Sequence, residues 1–295
     1  MSILIEIILR SLEYGSIYAL AALSIILVYR TSNITNFAQG VLGMFNTYVV
    51  AKLVINYGIP VYFAVFGGML SAMIIGLLID VLIIRHTSKV SPVAKQIITL
   101  GLISVILGLA PSIFGVYDLS LPKFIPRGSF SIYGASISYN AVLNISLGLS
   151  LMLVMFFVLQ KTKWGLAIRT TASSESTAKL MGIPTKTITM VTWSVAGMLS
   201  VLAGTMTAPF SNVSLTFMNN VQVVALLACV LGGFQTFHGP VIGAYIIAVG
   251  TNLIQFYMTV PDGTIWGRPL VYLLILVFLV IRPFGLFGKK TVKKV

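Results

Sequence analysis

Nine apolar runs follow one another along this chain, and most are long enough to cross a bilayer. They are Tyr14–Tyr29, Phe37–Ile55, Val61–Ile84, Ile97–Val116, Tyr139–Leu159, Ile188–Phe210, Val221–Leu231, Val241–Met258 and Pro269–Ile281. A spanning helix needs about 20 apolar residues. The first run is therefore short unless it borrows from what precedes it, and the seventh is short for any full span. In hydrocarbon every backbone group must bond within its own helix. The runs thus predict an all-α, polytopic membrane protein with about eight to nine transmembrane helices, some short or broken, forming a single domain over residues 1–295. Composition agrees: 8% of residues are charged and 58% hydrophobic, against ~25% charged in soluble domains.

The opening stretch MSILIEIILRSLEYG has no basic leader and carries Glu6, Arg10 and Glu13, so it does not read as a cleavable signal. Those charges fall at i, i+4 and i+7, one stripe of a helix. Ser2–Glu13 is then either an N-terminal amphipathic helix lying along the interface or the first turns of a spanning helix.

Basic residues fix an expected orientation. Lys161, Lys163, Arg169, Lys179 and Lys186 crowd around Trp164–Pro184, the longest polar interval, with Glu175 as its only acid. The positive-inside rule puts residues 161–187 in the cytoplasm. With one crossing per run, Arg30, the Arg85–Lys95 segment and the tail lysines Lys289, Lys290, Lys293 and Lys294 fall inside as well. The 117–138 loop falls outside, and its prolines and glycines around Phe130, Ile132 and Tyr133 predict a short hairpin or surface turn. The same topology explains the net charge of +13, so no nucleic-acid partner is inferred; the expected surroundings are membrane lipid.

Within the polar interval, Ala167, Thr171, Ala178 and Gly182 lie at helical spacings and offer a shallow face. Ser173 or Ser174 can cap a second short helix that stops at Gly182-Ile183-Pro184. This suits a docking element, with an ordinary basic connector as the alternative. Two breaks interrupt the hydrophobic pattern. One is Asn33–Gly40, with Asn36 and Gln39; the other is Gly232–Pro240, with Gln235, His238 and Gly239. Each is followed by a loose glycine echo, Gly40 to Gly43 and Gly239 to Gly243, which suggests parallel repeats and a polar pathway. Cytoplasmic turns meeting water are the competing explanation.

Catalytic chemistry is missing from the pattern. The acids are Glu6, Glu13, Asp80, Asp118, Glu175 and Asp262, and none has a His or Cys at a metal-ligand spacing. Cys229 is alone, so no disulfide can form within the chain. The Gly288–Thr291 tail lacks the glycine spacing of a nucleotide loop. No cofactor, metal or catalytic residue is expected. Asp80, near the inner end of its run, has Arg85 close by as a structural ion partner, so energy for pumping would come from another subunit.

Four groups of residues carry a family resemblance. The first is Tyr18–Ser24 leading through Val28-Tyr29 to Asn36-Phe37-Ala38-Gln39-Gly40 and Met44. The second is Gly165-x-Ala167-x-Arg169 followed by Ala178-x-x-x-Gly182-Ile183. The third is Ala203-Gly204, Leu231-Gly232-Gly233-Phe234 and Gly239-x-x-Ile242-Gly243; the last is Pro283-x-Gly285-Leu286-Phe287-Gly288. In this order they resemble the LivH-type permeases of branched-chain amino-acid ABC transporters. The chain departs from that pattern at Ser173-Ser174, at Gln235–His238 and at Val224.

The resemblance implies the permease subunit of an ATP-driven importer in a prokaryotic inner membrane. Its partners would be two cytoplasmic ATPase subunits, a second permease in a heterodimer, the more usual arrangement, or a second copy in a homodimer, and an extracytoplasmic solute-binding protein. Branched-chain or other hydrophobic amino acids are the expected cargo, with urea or short amides next and a stand-alone channel or secondary carrier as a different class. It also implies a substrate pathway at Asn36, Gln39, Gly40, Gln235, His238 and Gly239, and ATPase coupling through Gly165, Arg169, Glu175, Ala178 and Gly182.

Overall fold

The computed structural model describes residues 2–87, 90–132, 134–258 and 262–288. In chain order the elements are α1 (Ser2–Ser32), α2 (Gln39–Tyr57), α3 (Val61–Leu82) with a 3-10 turn at Ile84–Thr87, α4 (Pro92–Phe114), β1 (Ser129–Ile132), β2 (Ala135–Ser138), α5 (Tyr139–Lys161), α6 (Lys163–Ser173), α7 (Glu175–Leu180), α8 (Thr185–Ser211), α9 (Asn219–Gly232), α10 (His238–Tyr257) and α11 (Gly263–Ile281). Each of the nine apolar runs has become a helix. Seven of these are long and apolar enough to cross a membrane, whereas α2 and α9 are not. The expected hairpin forms as the antiparallel pair β1–β2, with Phe130 opposite Ile137. The Lys289–Lys294 tail and Tyr133 lie outside the described residues.

Helix starts are written in short polar residues, each accepting an otherwise unpaired N–H. Ser91 accepts from Ala94 N–H ahead of α4, Ser138 from Ala141 ahead of α5, Thr162 from Gly165 ahead of α6 and Ser174 from Thr177 ahead of α7. Asp262 accepts both the N–H (2.9 Å) and the hydroxyl (2.6 Å) of Thr264 at the start of α11. These bonds hold its carboxyl below the ordinary range.

The two readings of the N-terminus are resolved in favour of one continuous helix. No separate amphipathic element precedes α1, because Glu13 turns inward, 6% exposed, and accepts 2.8 Å from Asn144 Nδ2 of α5. From Ala19 to Val28 the helix is buried on every side. A helix apolar all round belongs at the centre of a bundle, and α1 packs extensively on α10, α8, α9 and α5.

Two ends of the bundle can be told apart. Glu6, Glu13 and Phe210 share a cavity with Ser129 and Ser136 of the hairpin. Thr31 and Ser32 share another with Arg85, Lys95, Lys179 and Lys186, which marks a basic end. Helix α1 therefore runs from the hairpin end to the basic end, and α8, which begins at Thr185 in the basic cavity, runs the other way.

The packing is reciprocal. Helix α1 lies along α10 while α3 lies along α8, and α9 packs on α1 as α2 packs on α8. On one side Gly76 leaves room for the Trp193 carbonyl, which a Cβ would meet at 2.7 Å; on the other Gly15 faces the Tyr245 ring. Exchanging α1–α2–α3 with α8–α9–α10 thus maps the core onto itself with reversed direction, an inverted-topology repeat. Its sequence trace is Ser32-Asn33-Ile34-Thr35 against Ser211-Asn212-Val213-Ser214. Asn33 (φ 52°) and Asn212 (φ 54°) are the two non-glycine residues with positive φ among the described residues.

The expectation of parallel repeats is corrected here. The Asn33–Gly40 break corresponds to the segment between α8 and α9, not to Gly232–Pro240, and the echoing glycines were coincidental spacing. A β-branched residue pays about 1–2 kcal/mol at positive φ. Asn33→Val and Asn212→Val should each lower stability by that amount while the glycine variants retain it, as read by thermal unfolding in detergent.

Candidate functional site

The first break enters the bundle and stops partway. Gln39, the first residue of α2, donates from Nε2 to the Ala196 carbonyl (2.9 Å) and to Ser200 Oγ (2.6 Å), both near the middle of α8. Asn36 is fully buried, donates from Nδ2 to Gln39 Oε1 (2.7 Å), and accepts the Ala38 N–H (3.0 Å) on Oδ1. Ser200 Oγ continues the chain to Ser24 Oγ at 3.2 Å. Gly40 lies against Gln222 in the first turn of α9, where an added Cβ would sit 2.8 Å from the Gln222 Cβ. The starts of the two repeat-related helices therefore meet in the middle of the bundle, held by a hydrogen-bonded polar core.

The second break is a different kind of place. Phe234 lies on Tyr29 (4.5 Å between ring centres), and the Arg30 guanidinium sits 5.4 Å from the centre of the Phe237 ring. His238 is flanked by Phe156 and Phe287 at 6.2 and 5.0 Å. Gly239 N–H caps on Thr236 Oγ1, and the final segment pairs back through Leu286 N–H to the Leu231 carbonyl (2.7 Å). Gln235 is half-buried in the same turn. Gln222 and Gly232 are ten residues apart on α9, so the two breaks differ in depth by roughly 15 Å. Asn36, Gln39 and Gly40 come together, and so do Gln235, His238 and Gly239, but the two groups do not form one lining. The turn reading fits the second group.

Polar cavities flank the central core at both ends. On the hairpin side, about 150 Å³ lies beside Ser211 at the end of α8 and Phe217 in the segment between α8 and α9, which re-enters the bundle as the Asn33–Gly40 break does; Tyr14, Tyr18, Asn220 and Arg268 wall it. A smaller space of about 80 Å³ adjoins it through Tyr14, Tyr18 and Arg268, adding Asn252 and Gln255. On the basic side, about 200 Å³ lies beside Ser32 and Ile34 of the first re-entrant segment. None of these linings includes Asn36, Gln39 or Gly40. The expected ion pair is present, Arg85 Nε to Asp80 Oδ2 at 3.1 Å.

Arg268 is the residue that reading the sequence missed. It lies inside α11, one residue before the apolar run Pro269–Ile281. The signal was an arginine one residue from a continuous hydrocarbon run. Such residues face protein or water-filled space.

The polar interval folds as two short helices. Ser174 caps the second, and Glu175 pairs with Lys179 at 2.6 Å. Its small face points inward: Ala178 is fully buried and Thr171 2% exposed. A Cβ on Gly165 would run into the Leu159 carbonyl, so this glycine lets α6 sit against the end of α5. Gly182 faces open space and is required by its positive φ of 75°. Arg169 is exposed, with Nη2 3.4 Å from the Gln160 carbonyl. Its most exposed apolar side chains are Leu180 (89% exposed) and Met181 (68%), at the end of α7. Docking through Ala178 is thus corrected, since that methyl is already used to seat α7.

The family model for the permease component of branched-chain amino acid transport systems matches residues 7–281. A probable branched-chain amino acid transport permease protein LivH of Methanocaldococcus jannaschii is 28% identical over 289 residues, covering 93% of this chain and 90% of that one. The high-affinity branched-chain amino acid transport system permease protein LivH of Escherichia coli K12 is 26% identical, covering 95% and 94%. Fructose import permease protein FrcC of Rhizobium meliloti is more distant, 24% identical over 85% of this chain and 70% of its own length. No solved structure matches. With seven helices fit to cross a membrane and a family match over nearly its whole length, the chain is a multi-pass inner-membrane protein and belongs to the permease-component family of branched-chain amino acid transport systems.

Proposed function

We propose that this chain is the permease subunit of an ATP-driven importer that carries branched-chain or other hydrophobic amino acids inward. Its companions in this reading are a second permease, two cytoplasmic ATPases that hydrolyse ATP, and an extracytoplasmic binding protein. The observation that carries the reading is the inverted repeat with polar cavities at both ends and a hydrogen-bonded core between them. Such a pair of re-entrant segments can open to one side at a time by rocking one repeat against the other. Asn36, Gln39 and Gly40 then act as the closed core of the path, and Tyr14, Tyr18, Asn220 and Arg268 as its outer vestibule. Gln235, His238 and Gly239 shape the turn beside the inner end.

The fructose permeases among the relatives favour a second reading, a sugar as cargo. Arg268 argues for the amino acid: it has no carboxylate within ion-pair distance among the described residues and faces both outer spaces. A cargo carboxylate would supply that partner, and sugar, urea or an amide would not. A hydrogen bond to a charged group is worth about 1.5–3 kcal/mol. Arg268→Gln should accordingly lower the maximal uptake rate of leucine roughly ten-fold or more. The half-saturating concentration, set by the binding protein, should stay near its original value. Unchanged leucine uptake in that variant would return the sugar reading to the front.

The orientation has its own test. In a Cys229→Ser background, Ser131→Cys on the hairpin should react with an impermeant thiol reagent added to intact cells. Ser173→Cys on α6 should react only after the membrane is opened. Both positions are exposed, so labelling reports the side of the membrane and not burial. The reverse pattern would turn the whole transport direction around.

A further inference from the structure

The cavity at the basic end contains more charge chemistry than a connector needs. Its wall joins the end of α1, the end of α3, and the corner between α7 and α8, with Ile34 and Ile84 as apolar surface. Two of its cations are occupied, Arg85 on Asp80 and Lys179 on Glu175. Lys95 and Lys186 have no carboxylate within ion-pair distance among the described residues. Asp80 is fully buried, and while its Oδ2 accepts from Arg85, its Oδ1 has no hydrogen-bond partner. A buried carboxylate oxygen left unfilled is costly, so such a group implies something that fills it. The cavity thus joins two unfilled ammonium groups and two aliphatic side chains in about 200 Å³, with the unfilled Asp80 Oδ1 buried in its wall.

We propose that this cavity binds the transported amino acid from the cytoplasmic side and slows further import when product accumulates. The α-ammonium donates to Asp80 Oδ1, the α-carboxylate meets Lys95 and Lys186, and the aliphatic side chain lies on Ile34 and Ile84. The inference rests on the amino-acid reading above. Its regulatory content comes from position: Glu175 and Lys179 in the same wall belong to α7, whose tip carries the exposed Leu180 and Met181, a surface that an ATPase subunit would meet in this reading. A ligand bridging α3, α4 and α8 beside α7 favours the one arrangement in which those walls close on it. It shifts the transport cycle by the difference in its affinity for that arrangement and the others.

The test uses the intact importer in vesicles loaded with ATP, supplied outside with binding protein and radiolabelled leucine. Unlabelled leucine loaded inside should lower the initial uptake rate at least three-fold. Internal N-acetylleucine, which lacks the ammonium, and internal leucinamide, which lacks the carboxylate, should not. Asp80→Asn should remove the inhibition and keep uptake into leucine-free vesicles within two-fold of the parent. Lys95→Met probes the opposite pole of the ligand and makes no side-chain bond whose loss would unfold the chain, so it serves if the Asp80 variant assembles poorly. Uptake unaffected by internal leucine would overturn the inference and leave the permease reading standing. Equal inhibition by N-acetylleucine, or inhibition that persists in both variants, would overturn it too, by showing a plain anion effect. Vesicles that take up no leucine at all would remove the amino-acid reading itself, and this inference with it.

Discussion

Gln39→Leu is expected to cost the protein its assembly before it costs it transport. The leucine leaves Asn36 Nδ2 without an acceptor and removes the amide from the Ala196 carbonyl and Ser200 Oγ, all in the buried middle of the bundle. Each buried polar group left unpaired costs about 1–3 kcal/mol. The three groups together amount to a loss of up to ~3–9 kcal/mol, a large part of the 5–15 kcal/mol that keeps a typical domain folded. The yield of complex extracted in detergent should fall several-fold and its melting temperature should drop. Removing both partners together is far less costly than removing one. The Asn36→Leu/Gln39→Leu double variant should therefore be better assembled than the sum of the single variants implies, a coupling that a double-mutant cycle measures. Full yield with abolished uptake in Gln39→Leu would show instead that the amide touches the moving substrate.

The second large effect belongs to the tip of α7. Leu180 and Met181 stand out from a polar segment, next to the Glu175–Lys179 pair. Exposed apolar side chains on a charged surface mark contact sites, and a few such anchors carry most of an interface's energy. Leu180→Asp combined with Met181→Asp should strip the ATPase subunits from the purified complex and reduce uptake more than ten-fold. The permease itself should remain folded, since neither side chain is packed within it. Ala178→Leu makes the contrast: that position is fully buried, so it should lower permease stability along with docking. ATPase retained at normal yield in the double-Asp variant would remove the α7 tip from the coupling mechanism.

How far the sequence could be read is decided by which features are local. Apolar run length is local, and every run became a helix. Caps are local too: Ser174 was one of two serines named, and the structure selects it. Depth is not local. Nothing in Phe37–Ile55 says that α2 begins against the middle of α8, because that depends on Ser200 and Ala196, some 160 positions away in the chain. Handedness of the repeat was in fact written, as Ser-Asn followed by a β-branched residue after each long helix. It was obscured by glycine spacings that match more readily to the eye. Facing is not local either: a small-residue face suits intramolecular packing as well as docking, and at Ala178 it is packing that uses it. Arg268 stands next to hydrocarbon in the sequence, and only the packing of α11 against α10 shows that it lines a cavity with α1 and is not the edge of a span.

The central claim, that this chain passes amino acids inward at the expense of ATP hydrolysed by partners, can be tested in one reconstitution. The complex would be purified from its native membrane through a tag on this chain, placed in vesicles with enclosed ATP, and offered labelled leucine with the binding protein outside. The account predicts accumulation of leucine above the outside concentration, dependent on both ATP and binding protein and not displaced by excess fructose or urea. Leucine entry that proceeds equally without ATP and without the binding protein, stopping at equal concentrations on the two sides, would contradict it.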